Sequence, residues 1–504
     1  MKLPLREGVI IEEAEPGVEL VDGATGLRLG LPEASAALFE GGSGEGGDDL
    51  RALLSAWGLL EEGLSLGQVE ERQRAQKRAM REVDRAEGLR ELLEFATQRV
   101  SYYRDRKDAY APSVSRVRSL EDLRRLPLMK RSDLRAHFPD GLVADGLDVP
   151  ALLEAGALEL ASTSGSTGER VQVFAAMDLD SVPPIYEELW DLPPSDETPR
   201  TAVFTTPLCL GNQCHLGRAT YEERIREGST LYLNSTEDLF SLGRPLLDNI
   251  AEELDRFQPD FLLVNPVYLH WLYRRAAELN VALPKVSLVL SCYQYLTAIQ
   301  RRAIEAYAAA PVYNYYFATD LAGSRIAIEC KERRLHVRED HALVEVVGEA
   351  GPRAEGELGS LAVTALTNRV MPLVRYLIGD VGRLTGETCS CAAADWDVLE
   401  LHGRLKDMLF RDRWITPREV DEAVADTPGL DFYKCLQVGE SELRVQAIPA
   451  LGVELRRTDL VDRLRERLGF ATVHVKEVRR LDPEASLKFR LTEHRAAAPP
   501  EFLL

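Results

Sequence analysis

Short apolar runs alternate with longer helical segments through the middle of the chain, from about residue 118 to residue 400. The runs Thr201–Thr205, Phe261–Val264, Val286–Leu290 and Leu361–Ala365 have the length and composition of buried β-strands. Strands that alternate with helices in this way favour a parallel or mixed sheet covered by helices. We therefore predict an α/β core domain in this part of the chain.

The first 66 residues have a different pattern and predict a small, separate α+β module. Three β-like runs, Val9–Ile11, Val18–Val21 and Leu27–Leu31, are separated by Asp-Gly and Thr-Gly pairs that favour turns. A helix that begins at Pro32 follows, then a glycine-rich stretch and a second helix. Residues 67–84, which are rich in Arg and Glu, are predicted to form a helical linker.

The C-terminal part of the chain predicts a compact α+β domain, with strands near Val438 and Val473 and a helix around Leu460–Leu468. The glycine-containing segment near residue 403 is the expected boundary before it. The predicted domains are the module at 1–66, the linker at 67–84, the core domain at 85–402 and the C-terminal domain at 403–504.

Charge and composition exclude several classes of function. The 504 residues contain 61 basic and 82 acidic side chains, and the net charge of -21 disfavours nucleic acid as a partner. No run of about 18 apolar residues could span a membrane, and the N-terminus lacks the apolar stretch of a signal peptide. We therefore expect a cytoplasmic protein with no membrane contact. The seven cysteines then indicate metal binding or simple burial rather than disulfide bonds.

The most informative string is Ala161–Gly168, in which eight consecutive small residues cannot pack a hydrophobic core. Glycine lets the main chain approach an anion closely, so that backbone N–H groups and hydroxyls can bind a phosphate. The string lacks the Gly-Lys-Ser/Thr of the P-loop, so it holds no lysine for the terminal phosphates. Taken alone, the string fits a phosphate-binding loop and a flexible linker equally well.

The string resembles the phosphate loop of the adenylate-forming (ANL) superfamily of acyl-CoA ligases, adenylation domains and luciferases. Four further segments resemble motifs of that superfamily and occur in its order: Tyr316–Asp320, Arg375–Asp380, Gly403–Asp407 and Ser486–Arg490. Within the superfamily the chain most resembles phenylacetate-CoA ligases, through Leu92–Arg104, Leu120–Leu134 and Arg338–His341. The resemblance covers about residues 85–495 and implies a large mixed-sheet domain followed by a small, mobile C-terminal domain.

The resemblance also implies a first step in which a carboxylic acid attacks the α-phosphate of ATP, assisted by Mg²⁺, and pyrophosphate leaves. It assigns binding of the triphosphate to Thr163, Ser164, Gly165, Ser166, Thr167 and Gly168. It assigns adenine to Tyr316, the α-phosphate to Thr319, Mg²⁺ to Asp320, and the ribose to Asp380 and Arg404. Lys488 would contact the α-phosphate and the attacking carboxylate, as suits a compact cation on a long stem. Lys406 would be the hinge residue of the C-terminal domain.

Departures from the superfamily pattern affect this interpretation. Asp320 replaces the usual glutamate and is one methylene shorter, and Phe317 stands where glycine is general. The segment Ser291–Tyr293 replaces the usual Gly-Ala/Gly-Glu segment beside adenine. Arg413 and Trp414 stand where CoA ligases generally keep a glycine-containing loop beside the pantetheine channel. These bulky side chains make CoA the less favoured acceptor.

Three cysteines and a histidine form a candidate metal site: Cys330, His336, Cys389 and Cys391. Three sulfurs and one imidazole are a normal set for a closed, tetrahedral zinc. Similar residues hold a zinc away from the chemistry in some relatives of phenylacetate-CoA ligase. The resemblance therefore implies a structural Zn²⁺, with His341 as a substitute for His336. Buried free cysteines without a metal are the alternative.

The N-terminal module resembles the small winged-helix domain that binds peptides in ribosomal-peptide maturation, the RiPP recognition element. Such a domain holds a leader peptide by adding it as a strand to a sheet edge. Residues 1–62 carry 13 acidic and 4 basic side chains, which disfavours DNA as the ligand. A dimerisation module is the alternative.

The leading hypothesis is an ATP-dependent ligase that forms an acyl-AMP from a small acid or a peptide carboxylate. It then transfers the acyl group to a nucleophile, in peptide natural-product (RiPP) modification. One alternative is an aryl-CoA ligase of the phenylacetate-CoA ligase type. Another is a non-catalytic nucleotide- or peptide-binding homologue, against which the retention of Asp380 and Lys488 counts.

Overall fold

The computed structural model describes the strands at 9–14, 17–22 and 28–31, and then residues 85–114, 120–155, 157–162, 171–176, 185–192, 199–207, 219–226, 228–321 and 324–494. The chain divides into two compact units, Met1–Asp84 and Arg85–Leu504. The strands are β1 (Val9–Ala14), β2 (Gly17–Asp22), β3 (Arg28–Leu31), β4 (Leu158–Ser162), β5 (Gln172–Ala176), β6 (Thr201–Phe204), β7 (Ile225–Arg226), β8 (Thr230–Tyr232), β9 (Phe261–Val264), β10 (Leu288–Ser291), β11 (Val312–Phe317), β12 (Arg325–Glu329), β13 (Leu335–Val337), β14 (Ala342–Gly348), β15 (Gly351–Pro352), β16 (Gly359–Ala365), β17 (Tyr376–Leu384), β18 (Leu399–Arg404), β19 (Leu409–Phe410), β20 (Trp414–Ile415), β21 (Leu430–Gly439), β22 (Glu442–Pro449), β23 (Thr472–Glu477) and β24 (Thr492–His494). The helices are α1 (residues 85–99), α2 (Ser101–Arg104), α3 (Lys107–Val114), α4 (Leu120–Leu123), α5 (Arg131–His137), α6 (Val149–Glu154), α7 (Ile185–Trp190), α8 (Arg244–Phe257), α9 (Pro266–Leu279), α10 (Ala298–Ala308), α11 (Pro417–Val424) and α12 (Arg457–Leu468).

In the first unit, β1, β2 and β3 form an antiparallel sheet in chain order. Val9 pairs with Asp22, and Val18 pairs with Leu31. These strands lie where the apolar runs predict them. The predicted helices of the module and the linker at 67–84 fall outside the described residues, so the resemblance to a winged-helix domain stays a prediction.

The second unit contains an eight-stranded sheet in the order β13-β12-β11-β10-β9-β6-β8-β7. Its central strands β8, β6, β9, β10 and β11 run parallel, and β7, β12 and β13 pair antiparallel at the edges. Leu254, Tyr268 and Ile304, from the helices α8, α9 and α10, share one buried cluster with Phe204 and Val289 of the strands. Helices therefore connect and cover parallel strands, and the predicted mixed α/β fold is confirmed.

A five-stranded antiparallel sheet, β15-β14-β16-β17-β18, forms a second layer. It shares a buried cluster with the preceding helices, in which the Tyr103 hydroxyl donates to the Pro372 carbonyl at 2.8 Å. The Arg375 guanidinium lies in the same region and pairs with Glu345 at 2.9 Å. Because a buried charge is costly without a partner, this pair ties the residue directly before β17 to β14.

After β18 the chain forms the hairpin β19–β20 and a four-stranded sheet in the order β23-β22-β21-β24, packed with α11 and α12. Helix α11 begins with a capping box, in which Thr416 accepts from the Glu419 N–H and Glu419 accepts from the Thr416 N–H. Leu443, Leu460 and Leu464 are fully buried between this sheet and α12. In the described part of the chain, no helix has the length and apolarity needed to cross a membrane.

Candidate active site

A cavity lies at the carboxyl ends of the parallel strands β10 and β11 and opens to solvent. Aromatic and charged side chains line it together, as is usual for a site that binds a small polar molecule. Residues of β17, β18 and the segment between 484 and 492 close its other side. The predicted site residues that line it are Tyr316, Asp380, Arg404, Lys406 and Lys488.

Asp380 lies at the wall of the cavity, where β17 pairs with β18. It stands directly opposite Arg404 in the register, and Nε of Arg404 is 3.3 Å from its Oδ1. The Tyr316 hydroxyl donates to the other carboxylate oxygen at 2.6 Å. Burial raises the pKa of Tyr316 well above its ordinary value, so this hydroxyl remains a donor. The Asp380 charge in turn raises the pKa of Arg404.

Asp320 lies on the short 3-10 turn Thr319–Leu321 that follows β11, and it is buried. The Tyr376 hydroxyl donates to Oδ2 of Asp320 at 2.7 Å, and Nη2 of Arg131 lies 3.8 Å from the same oxygen. The hairpin β4–β5 packs against this turn, with Ser162 opposite Gln172 at its loop end. The predicted phosphate-binding residues between these two positions, 163–168, lie outside the described part of the chain.

Lys488 lines the cavity from the segment between 484 and 492. The residues on either side of it are held by side chains from earlier in the chain. The Tyr268 hydroxyl donates to the Leu487 carbonyl at 3.1 Å. The Gln294 side chain accepts from the Phe489 N–H at 3.2 Å and donates to the Phe489 carbonyl. The lysine therefore lies in a segment that is docked on the core.

The predicted hinge lies on the 3-10 turn Leu405–Asp407, directly after β18. Nζ of Lys406 is 3.3 Å from Glu484, and burial lowers the pKa of this lysine. Arg490 contacts the Asp407 carboxylate at 2.5 Å and donates to the Lys406 carbonyl at 2.6 Å. The hinge turn is therefore bound by side chains of the segment that carries Lys488.

Comparison with known proteins gives relatives in sequence and in structure, although no protein-family model matches the chain. The chain is 28% identical over 400 residues to the phenylacetate-coenzyme A ligase of Thermus thermophilus, covering 75% of this chain and 84% of that protein. It is 25% identical over 372 residues to the phenylacetate-coenzyme A ligase of Aromatoleum evansii, covering 70% of this chain and 77% of that protein.

A solved structure of 2-hydroxyisobutyryl-CoA ligase, in complex with 2-HIB-AMP in the postadenylation state, matches with a TM-score of 0.61. It is 18% identical and covers 83% of this chain and 90% of that one. The protein has the fold of an adenylate-forming ligase. This match agrees with the predicted superfamily and with the mixed sheets of the second unit.

The ligase has an aromatic wall on one side of its cavity. Phe317 packs edge-on against Tyr293, with ring centroids 5.5 Å apart, and against Tyr315, with centroids 5.7 Å apart. Tyr293 has a φ of 68°, in the left-handed region that is uncommon for residues with a Cβ. All three rings line the cavity. The Phe317 ring therefore occupies space that the glycine general at this position in the superfamily would leave open.

The bulky residues Arg413 and Trp414, from which we predict that CoA is disfavoured as the acceptor, lie in the hairpin β19–β20. Arg413 pairs with Glu419 at 2.6 Å, and Trp414 packs on Phe410, with ring centroids 5.0 Å apart. Trp414 also packs against the buried cluster that contains Leu405. Neither Arg413 nor Trp414 lines the cavity formed by the described residues. The structure therefore gives no support to the prediction that these side chains disfavour CoA.

The four predicted metal ligands come together in the ligase, and all four are buried. The ligand atoms of Cys330, His336, Cys389 and Cys391 all lie within 4.8 Å of one another. The hairpin β12–β13 supplies Cys330 and His336, and the loop between β17 and β18 supplies the other two. His341, the substitute ligand, instead lies 3.7 Å from Asp340.

The distances within this cluster fit a tetrahedral zinc. Zn–S bonds of about 2.3 Å at tetrahedral angles give S···S separations of about 3.8 Å. The Cys330 and Cys389 sulfurs are 3.7 Å apart. Nε2 of His336 faces the Cys391 sulfur at 3.2 Å, while Nδ1 lies 3.4 Å from the Trp396 carbonyl. A backbone acceptor on the far nitrogen is the usual means of orienting a histidine ligand.

Sequence reasoning missed several polar residues that line the site or hold its parts. Gln294 and Glu484 were not assigned, although Gln294 directly follows the unusual segment Ser291–Tyr293. Tyr376 and Arg490 lay inside quoted motifs without an assigned role. For Tyr376 and Arg490 the only available signal was their position within a motif, because each contacts residues that are distant in the chain.

Proposed function

We propose that the protein is a carboxylate–CoA ligase of the phenylacetate-CoA ligase type, which forms an acyl-AMP and then an acyl-CoA thioester. The enzyme class, an ATP-dependent, AMP-forming ligase, follows from the sequence relatives and the fold. The observation that carries the proposal is the meeting of Lys488 with Tyr316, Asp380 and Arg404 in one cavity. These residues are distant in the sequence but line the same cavity, so one ligand bound there would contact all of them.

For the nucleotide, we propose that Asp380 and Arg404 bind the ribose hydroxyls and that Tyr316 lies beside the adenine. A carboxylate accepts hydrogen bonds from hydroxyls, and Asp380 is held in place by Tyr316 at 2.6 Å and Arg404 at 3.3 Å. The triphosphate would extend towards the turn that carries Thr319, against which the β4–β5 hairpin packs. The proposed phosphate loop, residues 163–168, directly follows β4 in the sequence.

The same turn offers a ligand for Mg²⁺. Mg²⁺ is usually bound by one or two carboxylates together with substrate phosphates and water. Asp320 is a buried carboxylate whose Oδ2 receives the Tyr376 hydroxyl. Its Oδ1 is the oxygen that would ligate the ion, which neutralises charge on the phosphates. The residues present therefore fit the ion.

In the first half-reaction the substrate carboxylate attacks the α-phosphate, and the bond from that phosphate to pyrophosphate breaks. Negative charge builds on the phosphoryl oxygens, so cations placed there in advance stabilise the transition state most. We propose that Lys488 supplies this cation, with Thr319 donating to the same phosphate. In the second half-reaction a thiolate of CoA attacks the acyl carbonyl, and AMP leaves with the bonding electron pair.

CoA is the proposed acceptor because the curated relatives are CoA ligases and because Arg413 and Trp414 lie away from the cavity. Pyrophosphate exchange over a panel of aryl acids, fatty acids and acidic peptides tests the first half-reaction. We expect exchange with an aryl acid, and AMP release with thioester formation when free CoA is added. Exchange without any CoA-dependent product would contradict the choice of acceptor.

A peptide-modifying role stays a separate prediction. The strands β1, β2 and β3 form a sheet in chain order, which agrees with the three β-like runs of the predicted module. A fluorescent peptide that binds the full chain and changes its exchange rate would support that role. Rapid thioester formation that no candidate leader peptide alters would count against it.

We also propose that Cys330, His336, Cys389 and Cys391 hold one structural Zn²⁺. Four protein ligands leave no open position on a tetrahedral ion, so it takes no part in the chemistry. The cluster shares a buried apolar region with Tyr315 and, beside it, Phe317. Zinc would therefore fix the base of the aromatic wall.

A further inference from the structure

The segment around Lys488 is bound to the core through its backbone. Ser486 is buried, and its carbonyl accepts from the Thr206 hydroxyl at 3.4 Å. Leu487 has a φ of 60°, and its carbonyl accepts from Tyr268. The ring of Phe489 packs edge-on against Phe240, with centroids 5.5 Å apart. The chain is therefore fixed on both sides of Lys488. This fixed backbone determines the direction of the Lys488 side chain.

Gln294 makes the most specific of these contacts. Its Oε1 accepts from the Phe489 N–H at 3.2 Å, and its Nε2 donates to the Phe489 carbonyl. A primary amide is the neutral side-chain group that can both accept and donate in this way. The side chain thus pairs with Phe489 as a neighbouring β-strand would, one residue beyond Lys488.

The orientation of the Gln294 amide is itself determined by the core. Asn265 is fully buried at the start of α9, and its Oδ1 accepts from the Val267 N–H at 3.0 Å. Its Nδ2 therefore points the other way and donates to Oε1 of Gln294 at 3.5 Å. With Oε1 held by Asn265, Nε2 of Gln294 is left to bind the Phe489 carbonyl. A helix cap in the core thus determines how Gln294 binds the C-terminal domain.

We propose that Gln294, oriented by Asn265, is a positioning residue that holds Lys488 at the reacting phosphate during adenylation. This inference rests on the proposed function, because it assigns the lysine to the first half-reaction. Gln294 is needed only while the segment is docked. Its loss should therefore slow adenylation and spare thioester formation from an acyl-AMP supplied ready-made.

The test uses Gln294→Leu, which removes both hydrogen bonds at nearly constant volume, and Gln294→Glu, which keeps only the acceptor. The control is Gln98→Leu, the same change on an exposed position of α1. Phenylacetate, or the acid of the panel with the fastest exchange, serves as the probe, and its chemically made adenylate with CoA serves for the second half-reaction. Both half-reactions are measured on the full chain.

Two hydrogen bonds of about 1 kcal/mol each correspond to a loss of about 30-fold in a rate or population. We expect kcat for pyrophosphate exchange to fall by about this factor in Gln294→Leu and by about fivefold in Gln294→Glu, which loses one of the two hydrogen bonds. The KM for ATP should change by less than about twofold in both variants. Thioester formation from the adenylate should stay within about twofold of the unchanged protein. Equal losses in both half-reactions, or no loss in either, would overturn the inference.

A second measurement needs no substrate. Hydrogen exchange followed by mass spectrometry should show faster exchange in a peptide containing Phe489 for Gln294→Leu than for the unchanged protein and for Gln98→Leu. Equal exchange in all three proteins would also overturn the inference. If the unchanged protein activates no acid at all, the proposed function fails, while hydrogen exchange still decides whether Gln294 holds Phe489.

Discussion

The contact between Asp431 and helix α9 offers a quantitative test of how β21 is held against α9. Asp431 lies on β21, and its carboxylate binds Nε2 of His270 at 2.9 Å and the guanidinium of Arg274, both on α9. The His270 ring also stacks on Phe432, with centroids 4.2 Å apart. Asp431→Asn keeps the shape of the side chain and removes its charge.

The expected cost follows from these partners. Hydrogen bonds to charged groups contribute about 1.5–3 kcal/mol, and removing one partner of a buried pair costs about 3–5 kcal/mol. Arg274 keeps the Pro449 carbonyl at 2.8 Å and Glu278 at 3.2 Å, which moderates the loss. We therefore expect Asp431→Asn to lower the free energy of unfolding by about 2–3 kcal/mol at pH 7.

The effect should depend on pH with a definite sign. Burial acts to raise the pKa of Asp431, but the hydrogen bond from His270 and the charge of Arg274 outweigh it and lower the pKa below 3.8. A lowered pKa stabilises the folded state above the ordinary value, and this contribution is lost as the pH falls through the folded-state value. The difference between Asp431→Asn and the unchanged protein should therefore disappear only in strong acid.

Denaturant unfolding at several pH values, followed by circular dichroism, measures this difference. Asp462→Asn, on the exposed face of α12, is the matched control and should change the unfolding free energy by less than about 0.5 kcal/mol. The reasoning is refuted if Asp431→Asn and Asp462→Asn are equally stable at pH 7, or if their difference grows as the pH is lowered.

Three further predictions follow from single groups. Native mass spectrometry should detect one equivalent of zinc in the unchanged protein and in Cys435→Ser, and none in Cys389→Ser or Cys391→Ser. Burial raises the pKa of Asp421 to about 6, so the stability that its protonated form provides is lost as the pH rises through that value. In denaturant unfolding, Asp421→Asn should therefore gain stability relative to the unchanged protein between pH 4 and 7. Tyr316→Phe removes the donor to Asp380 and should raise the KM for ATP in pyrophosphate exchange about three- to tenfold.

Much of the fold follows from local pattern. Phe261–Val264 is predicted and observed with the same bounds, because a buried parallel strand is a short apolar run. The run Val286–Leu290 is instead observed as Leu288–Ser291. Strand ends depend on where a neighbouring strand stops pairing, and here Phe261–Val264 is that neighbour.

The candidate site was predictable only where a motif exists. Lys488 and Asp380 belong to segments that a family resemblance marks, and both line the cavity. Gln294 could not be found in this way, since its partner Phe489 lies 195 residues away and is contacted through backbone atoms. Backbone recognition places no requirement on the side chain of the partner, so it leaves no pattern in the sequence.

The metal site also could be predicted only in part from the sequence. The four residue types form a normal set of zinc ligands, but they come from one hairpin and one loop that are distant in the sequence. Their convergence depends on the pairing of β12 with β13 and on the bridge between His336 and Val398. Spacing along the chain therefore left His341 as a substitute for His336, and the structure places His336 in the cluster.

The most direct test of the account is pyrophosphate exchange by Lys488→Ala beside Lys476→Ala, an exposed lysine on β23. The account predicts a loss of about 100-fold or more in exchange for Lys488→Ala, since a cation at the reacting phosphate is worth about 3 kcal/mol or more. Lys476→Ala should behave as the unchanged protein, and both variants should form thioester from supplied adenylate. Full exchange activity in Lys488→Ala would contradict the claim that this lysine acts on the nucleotide bound in the cavity.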